Sequence, residues 1–170
     1  MKSRLRILDI FFFLIIASCS SQRSSPVIGL NENIHHDDFE YAVTNYSLSK
    51  IIEGTQDSIV ANGNFYLIHF RVINNALRVD HAWNNSTAYI IDEAGNIFEN
   101  DKNAQKELNS ILPFGCKEKY LTRSQSADTT MLIYDLPLTI NHPYLMIRGK
   151  TLMGDIFDRN RFRRTKVRLF

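Results

Sequence analysis

An all-β sandwich of seven to eight strands with one short helix is the fold this 170-residue chain predicts, on three observations. Apolar residues recur at every second position, most clearly Tyr66, Ile68, Phe70 and Val72, which is the period of a strand buried on one face. Turn signals such as Glu93-Ala94-Gly95-Asn96 separate β-rich runs, and glycine supplies the positive φ that a tight hairpin requires. The runs are short and nearly evenly spaced, as in a sandwich, and only one segment has a helical period.

The first segment does not belong to that fold. Lys2, Arg4 and Arg6 precede an apolar run from Ile10 to Ile16, and then come Ala17, Ser18 and Cys19. A basic head, a short hydrophobic centre and small residues before a cut site describe a secretory signal. A spanning helix needs about 20 apolar residues, nearly three times the length of this run. Ile16-Ala17-Ser18-Cys19 resembles the lipobox of bacterial lipoproteins. That resemblance implies removal of residues 1–18 and lipidation of Cys19, which becomes the first mature residue and ties the protein to a membrane. Acyl chains on both the thiol and the freed amine supply the two signals that stable anchoring needs. Ser20, where an aspartate would favour inner-membrane retention, implies an outer-membrane lipoprotein facing the periplasm.

Residues 19–37, beginning Ser20-Ser21-Gln22-Arg23-Ser24-Ser25-Pro26 after the lipid site, read as a flexible tether, polar and without periodicity. The domain is expected over residues 38–170. Phe39, Tyr41 and Val43 open a strand, and the phase shift to Tyr46 and Leu48 predicts a bulge near Asn45. Ala61-Asn62-Gly63-Asn64 reads as a turn before the long strand from Phe65 to Ile73. A loop from Asn74 to Ser86 holds the single tryptophan, Trp83. The hairpin around Gly95 follows, joining Thr87–Asp92 to Ile97 and Phe98. Residues 101–111 form the helix, with Asp101 as its cap and Ala104, Leu108 and Ile111 on one face. Strands return at Lys119–Thr122, Thr129–Leu136, Tyr144–Arg148 and Thr165–Leu169.

Three motifs carry a family resemblance. They are Asn62-Gly63-Asn64-Phe65 before a strand ending in Asn74-Asn75, Ile91-Asp92-Glu93-Ala94-Gly95-Asn96-Ile97-Phe98, and Met131-Leu132-Ile133-Tyr134-Asp135-Leu136-Pro137. Over residues 38–148 the chain resembles a domain of unknown function found in bacterial lipoproteins and secreted proteins. The resemblance implies an immunoglobulin-like sandwich, similar to a secreted mycobacterial immunoprotective antigen. Its motifs are structural, and it implies no activity and no functional residues.

Charge is unevenly spread. Without residues 1–18 the chain has 17 basic and 17 acidic side chains, yet residues 19–147 hold 9 and 15 while residues 148–170 hold 8 and 2. A basic C-terminal segment therefore follows an acidic body. With 152 residues the mature chain fits one domain and buries about 68–70% of its unfolded surface. If Cys19 is lipidated, Cys116 has no partner for an intramolecular disulfide and reads as a buried thiol.

No catalytic, phosphate-binding or calcium-loop motif stands in the sequence, so binding without catalysis, metal or cofactor is the expectation. His35-His36-Asp37-Asp38 has ligand-type side chains, but neighbours on a strand point in opposite directions and cannot close a metal site. The leading expectation is an envelope protein partner held by Leu77, Val79 and Trp83, which sit among polar residues between two strands; the alternative place for Trp83 is the core. A different reading has Arg159, Arg161, Arg163, Arg164, Lys166 and Arg168 binding an anionic membrane or envelope polymer. A periplasmic inhibitor or an enzyme ranks lower, and no nucleic-acid partner is expected.

Overall fold

The computed structural model describes residues 25–55, 57–112, 117–148 and 161–170, the last group without the side chains of residues 161 and 162. Cys19, Cys116 and Arg159 lie outside the described residues, as does the lipobox. The chain is a β-sandwich. One sheet has five strands in the order β1 (Val27–Ile28), β11 (Lys166–Arg168), β10 (Tyr144–Ile147), β6 (Ala88–Ile91) and β7 (Ile97–Phe98). The other has four, β2 (Ile34–His36), β3 (Phe39–Glu53), β4 (Ser58–Asn74) and β9 (Ser126–Leu136). A separate ribbon pairs β5 (His81–Asn84) with β8 (Lys119–Thr122).

Eleven strands among the described residues exceed the expected seven to eight because several are only two to four residues long. The long strand carries the predicted face, with Ile68, Phe70 and Val72 fully buried and Tyr66 nearly so. These residues meet Leu132 and Tyr134 of β9 and, from the opposite sheet, Ile90, Leu145 and Val167. Each such side chain removed from water contributes about 1.5–3 kcal/mol. Tyr134 also ties the layers by a polar contact, its hydroxyl donating to the Ala88 carbonyl at 3.1 Å. Burial pushes its phenol well above the ordinary range.

The predicted bulge falls between Val43 and Asn45 of β3. The hairpin at Gly95 also forms, with φ of 87° at the glycine and Ile91 paired to Ile97. Asp92 closes it by accepting from the Asn96 backbone at 2.8 Å and side chain at 2.7 Å.

Two expectations are corrected. Pairing starts before Asp38: β1 lies parallel to β11, with Val27 opposite Lys166, and β2 pairs with β3, so residues 27–36 belong to the sandwich and not to the tether. Strands this short carry no period to read, and their partners lie elsewhere in the chain. Nor is Asn62-Gly63 a turn; it lies inside β4, which begins at Ser58. There the register with β3 jumps from Ser49 opposite Phe65 to Ile51 opposite Val60, so residues 61–64 bulge against Lys50.

Helix α1 (Lys102–Ile111) covers the outer face of the four-stranded sheet. Asp101 caps it as expected, accepting from the backbone N–H groups of Asn103 and Ala104 at 3.0 Å. Ala104 and Leu108 pack on Ile52, Phe65 and Ile133, whereas Ile111 stays 40% exposed at the last turn. The helix also shields β9, the edge strand of that sheet. Gln105 accepts from the Ile133 N–H at 3.1 Å and donates to the Met131 carbonyl at 2.9 Å, standing in for a neighbouring strand.

Candidate functional site

The β5–β8 ribbon links two surfaces worth weighing as sites. Its interior settles the place of Trp83, which is 6% exposed and therefore does not belong to a binding surface. On β5 the side chains alternate, with Ala82 and Asn84 outward and Trp83 inward. The indole stacks on Tyr120 of β8 with ring centroids 4.0 Å apart and meets Phe70 edge-on at 5.9 Å. Its N–H donates to Thr122 at 2.8 Å, and the Thr122 hydroxyl donates to Asp128 at 2.7 Å.

At one end of the ribbon lies the loop before β5, where Leu77 is 79% exposed and Val79 58% exposed. The loop is held from beneath by fully buried Asn74. The Asn74 side-chain amide donates to the carbonyls of Val79 at 2.7 Å and Thr122 at 3.1 Å, and its oxygen accepts from the Ala76 N–H at 2.9 Å. Leu121 of β8, next to Thr122, is exposed as well. Two of the three expected contact residues are thus exposed, and Leu121 is a further exposed apolar side chain that the sequence reading did not single out. Its signal was the alternation of outward Leu121 with inward Tyr120 and Thr122.

The other end of the ribbon opens on a cleft of about 670 Å³. Asn84, Asn85 and Ser86 form one wall, in a 3₁₀ turn (Asn85–Thr87) closed by a reciprocal cap between Asn84 and Thr87. Lys102, Lys106 and Asn109 of α1 form the facing wall. Arg148 joins Glu99 at the rim through two hydrogen bonds, one of them 3.0 Å long, and lies 4.8 Å above the Tyr89 ring. Nothing in the sequence marked this cleft.

The described basic C-terminal residues fall in two consecutive elements. Arg161, Arg163 and Arg164 fall in the one-turn helix α2 (Arg161–Arg164), with Arg164 exposed and Arg163 half-buried. Strand β11 lies between β1 and β10, so it is no edge. Lys166 is drawn over the Tyr144 ring at 5.1 Å, and exposed Arg168 over Phe170 at 5.5 Å.

His81 begins β5 and is not in a loop. Its ring stacks on Phe39 at 4.0 Å, and its Nε2 lies 2.8 Å from the Tyr41 hydroxyl. Burial, with a further contribution from neighbouring His36, holds the imidazole below its ordinary value. The unfolded chain therefore takes up this proton first on acidification, so the stabilisation is complete above about pH 6.5 and is lost as pH falls through the folded value. The unfolding midpoint is expected to fall from pH 8 to pH 5, and to fall less in His81→Phe. An unchanged slope in that variant would assign the effect elsewhere.

His35 is exposed and His36 buried, as adjacent strand positions require. No group of three His, Cys, Asp or Glu among the described residues could hold a metal ion, and no helix among them is long and apolar enough to cross a membrane.

Several solved structures share the architecture. The yjhA protein of Bacillus subtilis is similar with a TM-score of 0.57 at 12% identity, covering 84% of this chain and 98% of its own. A conserved hypothetical protein of Bacillus anthracis gives 0.57 at 10% identity, covering 72% and 91%. An uncharacterized β-sandwich protein of Clostridium difficile gives 0.52 at 11%, covering 89% and 99%. At these identities the likeness is one of fold alone. No protein-family model and no curated protein matches the sequence.

Proposed function

We propose that this chain is a lipid-anchored envelope protein whose sandwich binds a protein partner and performs no catalysis. Cys19 is the lipid anchor, and the protein stands on the outer membrane facing the periplasm. The likeness to lipoprotein domains of unknown function, and to the immunoglobulin-like sandwich of the mycobacterial antigen, belongs to the same reading.

One observation carries the binding role. Leu77 and Val79 are thrust into solvent by a loop that a buried asparagine fixes to the ribbon, with exposed Leu121 on the adjoining strand. Apolar side chains on a pre-ordered loop lose little entropy on docking, which favours affinity. The test is crosslinking in native membranes with the full-length lipoprotein and a Leu77→Asp, Val79→Asp variant. Both positions are exposed, so the variant is expected to keep the wild-type unfolding midpoint within about 0.5 kcal/mol of stability at each site. It is expected to lose the crosslinked partner. A partner retained at wild-type yield by the folded variant would overturn the reading. Electrostatic binding through the basic segment ranks second, supported by the exposure of Arg164 and Arg168.

A further inference from the structure

We infer, resting on the lipid-anchor reading of Cys19, that the outer face of the five-stranded sheet docks on an anionic lipid surface, that of the membrane holding the anchor. An antiparallel sheet with one face in water alternates apolar and polar residues. Here β6 reads Ala88-Tyr89-Ile90-Ile91, β10 reads Tyr144-Leu145-Met146-Ile147 and β7 reads Ile97-Phe98. Such unbroken apolar runs belong to strands covered on both faces. Ile90, Leu145, Ile147 and Val167 fill the core, so their neighbours along each strand point away from it.

Helix α1 covers the other sheet. On the outer face of this one, Val27, Ile97 and Phe170 are exposed, and Tyr89, Ile91 and Tyr144 are half-buried. The register joins them into one patch: Ile97 lies opposite Ile91, Ile91 opposite Tyr144, Tyr144 opposite Arg168, and Val27 opposite Lys166. Phe170 meets Tyr144 edge-on with ring centroids 5.4 Å apart. Aromatic and aliphatic side chains interleaved with cations suit a bilayer interface, where tyrosine rings sit at headgroup level and basic residues meet phosphates.

The cations select an anionic surface. Lys166 and Arg168 have no acidic partner among the described residues and lie over aromatic rings instead. Exposed Arg164 precedes them by two residues. The acidic side chains nearby are already engaged, Glu99 by Arg148 and Glu93 by His142 at 2.9 Å. A second copy of the same sheet would set these cations against their own kind, whereas phosphate headgroups neutralise them.

Chain length brings the patch to the membrane. Strand β1 begins at Val27, eight residues after Cys19. Fully extended, those residues reach about 26–29 Å, less than the breadth of a domain this size, about 35–40 Å. An anchored Cys19 therefore keeps the sandwich at the bilayer with β1 nearest, and β1 pairs directly with the basic strand β11. Lipid and cations then act on one surface. Leu77 and Val79 belong to the separate ribbon, so the docked sheet does not use the protein-partner site.

The test is vesicle co-sedimentation of the mature chain, residues 19–170, with Cys19→Ala so that no acyl chain contributes. Vesicles of phosphatidylethanolamine with phosphatidylglycerol are expected to bind it, vesicles of phosphatidylcholine to leave it in solution, and rising salt to weaken the binding. Lys166→Gln with Arg168→Gln should weaken it by about twentyfold, roughly fivefold for each cation near the surface. Ile97→Asn should weaken it as well, which a purely ionic attraction would not show. Val60→Asn on β4 and Leu77→Asn on the ribbon should change nothing. Ile97, Val60 and Leu77 are all exposed, so these three variants are expected to keep the wild-type unfolding midpoint. Fatty-acid labelling of the wild-type protein in cells reports on Cys19 separately, so failure of the anchor reading and failure of the docking face are told apart. No binding to phosphatidylglycerol vesicles, equal binding to phosphatidylcholine, an unaffected cation or Ile97 variant, or a dimer that Ile97→Asn dissociates would each overturn the inference.

Discussion

Trp83→Ala lowers the unfolding midpoint by about 10 °C or more, the expected result of emptying a core site of its largest side chain. The indole lies flat on Tyr120 and edge-on to Phe70, so its loss removes packing on two sides. Truncating a buried tryptophan to alanine costs about 3–5 kcal/mol. A second loss follows through Thr122, which is fully buried and passes the indole hydrogen bond on to Asp128. That chain fastens the ribbon to β9, and so supports both the loop carrying Leu77 and the cleft beyond Asn84. Trp83→Phe keeps a ring on Tyr120 but forfeits the N–H and part of the ring volume, so it should recover only part of the deficit. Leu77→Ala provides the contrast, because a side chain 79% exposed changes stability by no more than about 0.5 kcal/mol. Thermal unfolding followed by circular dichroism distinguishes the three. A Trp83→Ala midpoint equal to wild type would mean that the indole is not packed and would return it to the list of surface contacts.

What the sequence showed and what it hid have physical reasons. The face of β4 was legible because one side is buried along its length, which forces apolar residues to every second position from Tyr66 to Val72. Asp101 and Gly95 were legible because a helix cap and a positive φ are local needs met by one residue type. Strands β1 and β2 were not, since two or three residues cannot display a period. Trp83 looked like a loop residue because its neighbours in sequence are polar, while Tyr120 and Phe70, which enclose it, come from other strands. The cleft was hidden for the same reason. Asn85, Lys106 and Lys119 belong to separate elements, and each alone reads as ordinary polar surface.

Gly63→Ala is expected to destabilise the sandwich by about 3 kcal/mol or more, the upper range for forcing extra atoms into a packed site. A methyl carbon at that position would stand 1.9 Å from the Leu136 carbonyl oxygen and 2.7 Å from Cα of Pro137. Both are backbone atoms and cannot rotate aside, so β4 and the end of β9 must separate. That separation disturbs more than one contact. The Asp135 carboxylate accepts from the Asn62 N–H at 2.8 Å, the Asn62 side chain at 2.9 Å and the Gly63 N–H at 3.1 Å, and Lys50 donates to the Gly63 carbonyl across the bulge. Phe65, two residues on, is fully buried against Leu108 and the rest of the helix contact. The Asn-Gly signal was therefore real but had two structural meanings: a glycine that allows a turn and a glycine that lets two backbones touch look alike in one sequence. Gly95→Ala separates them experimentally, because open space surrounds Gly95 and only its positive φ is penalised, at about 1–2 kcal/mol. Urea unfolding of the two variants should rank Gly63→Ala clearly below Gly95→Ala. The reverse order would make Gly63 a conformational residue after all.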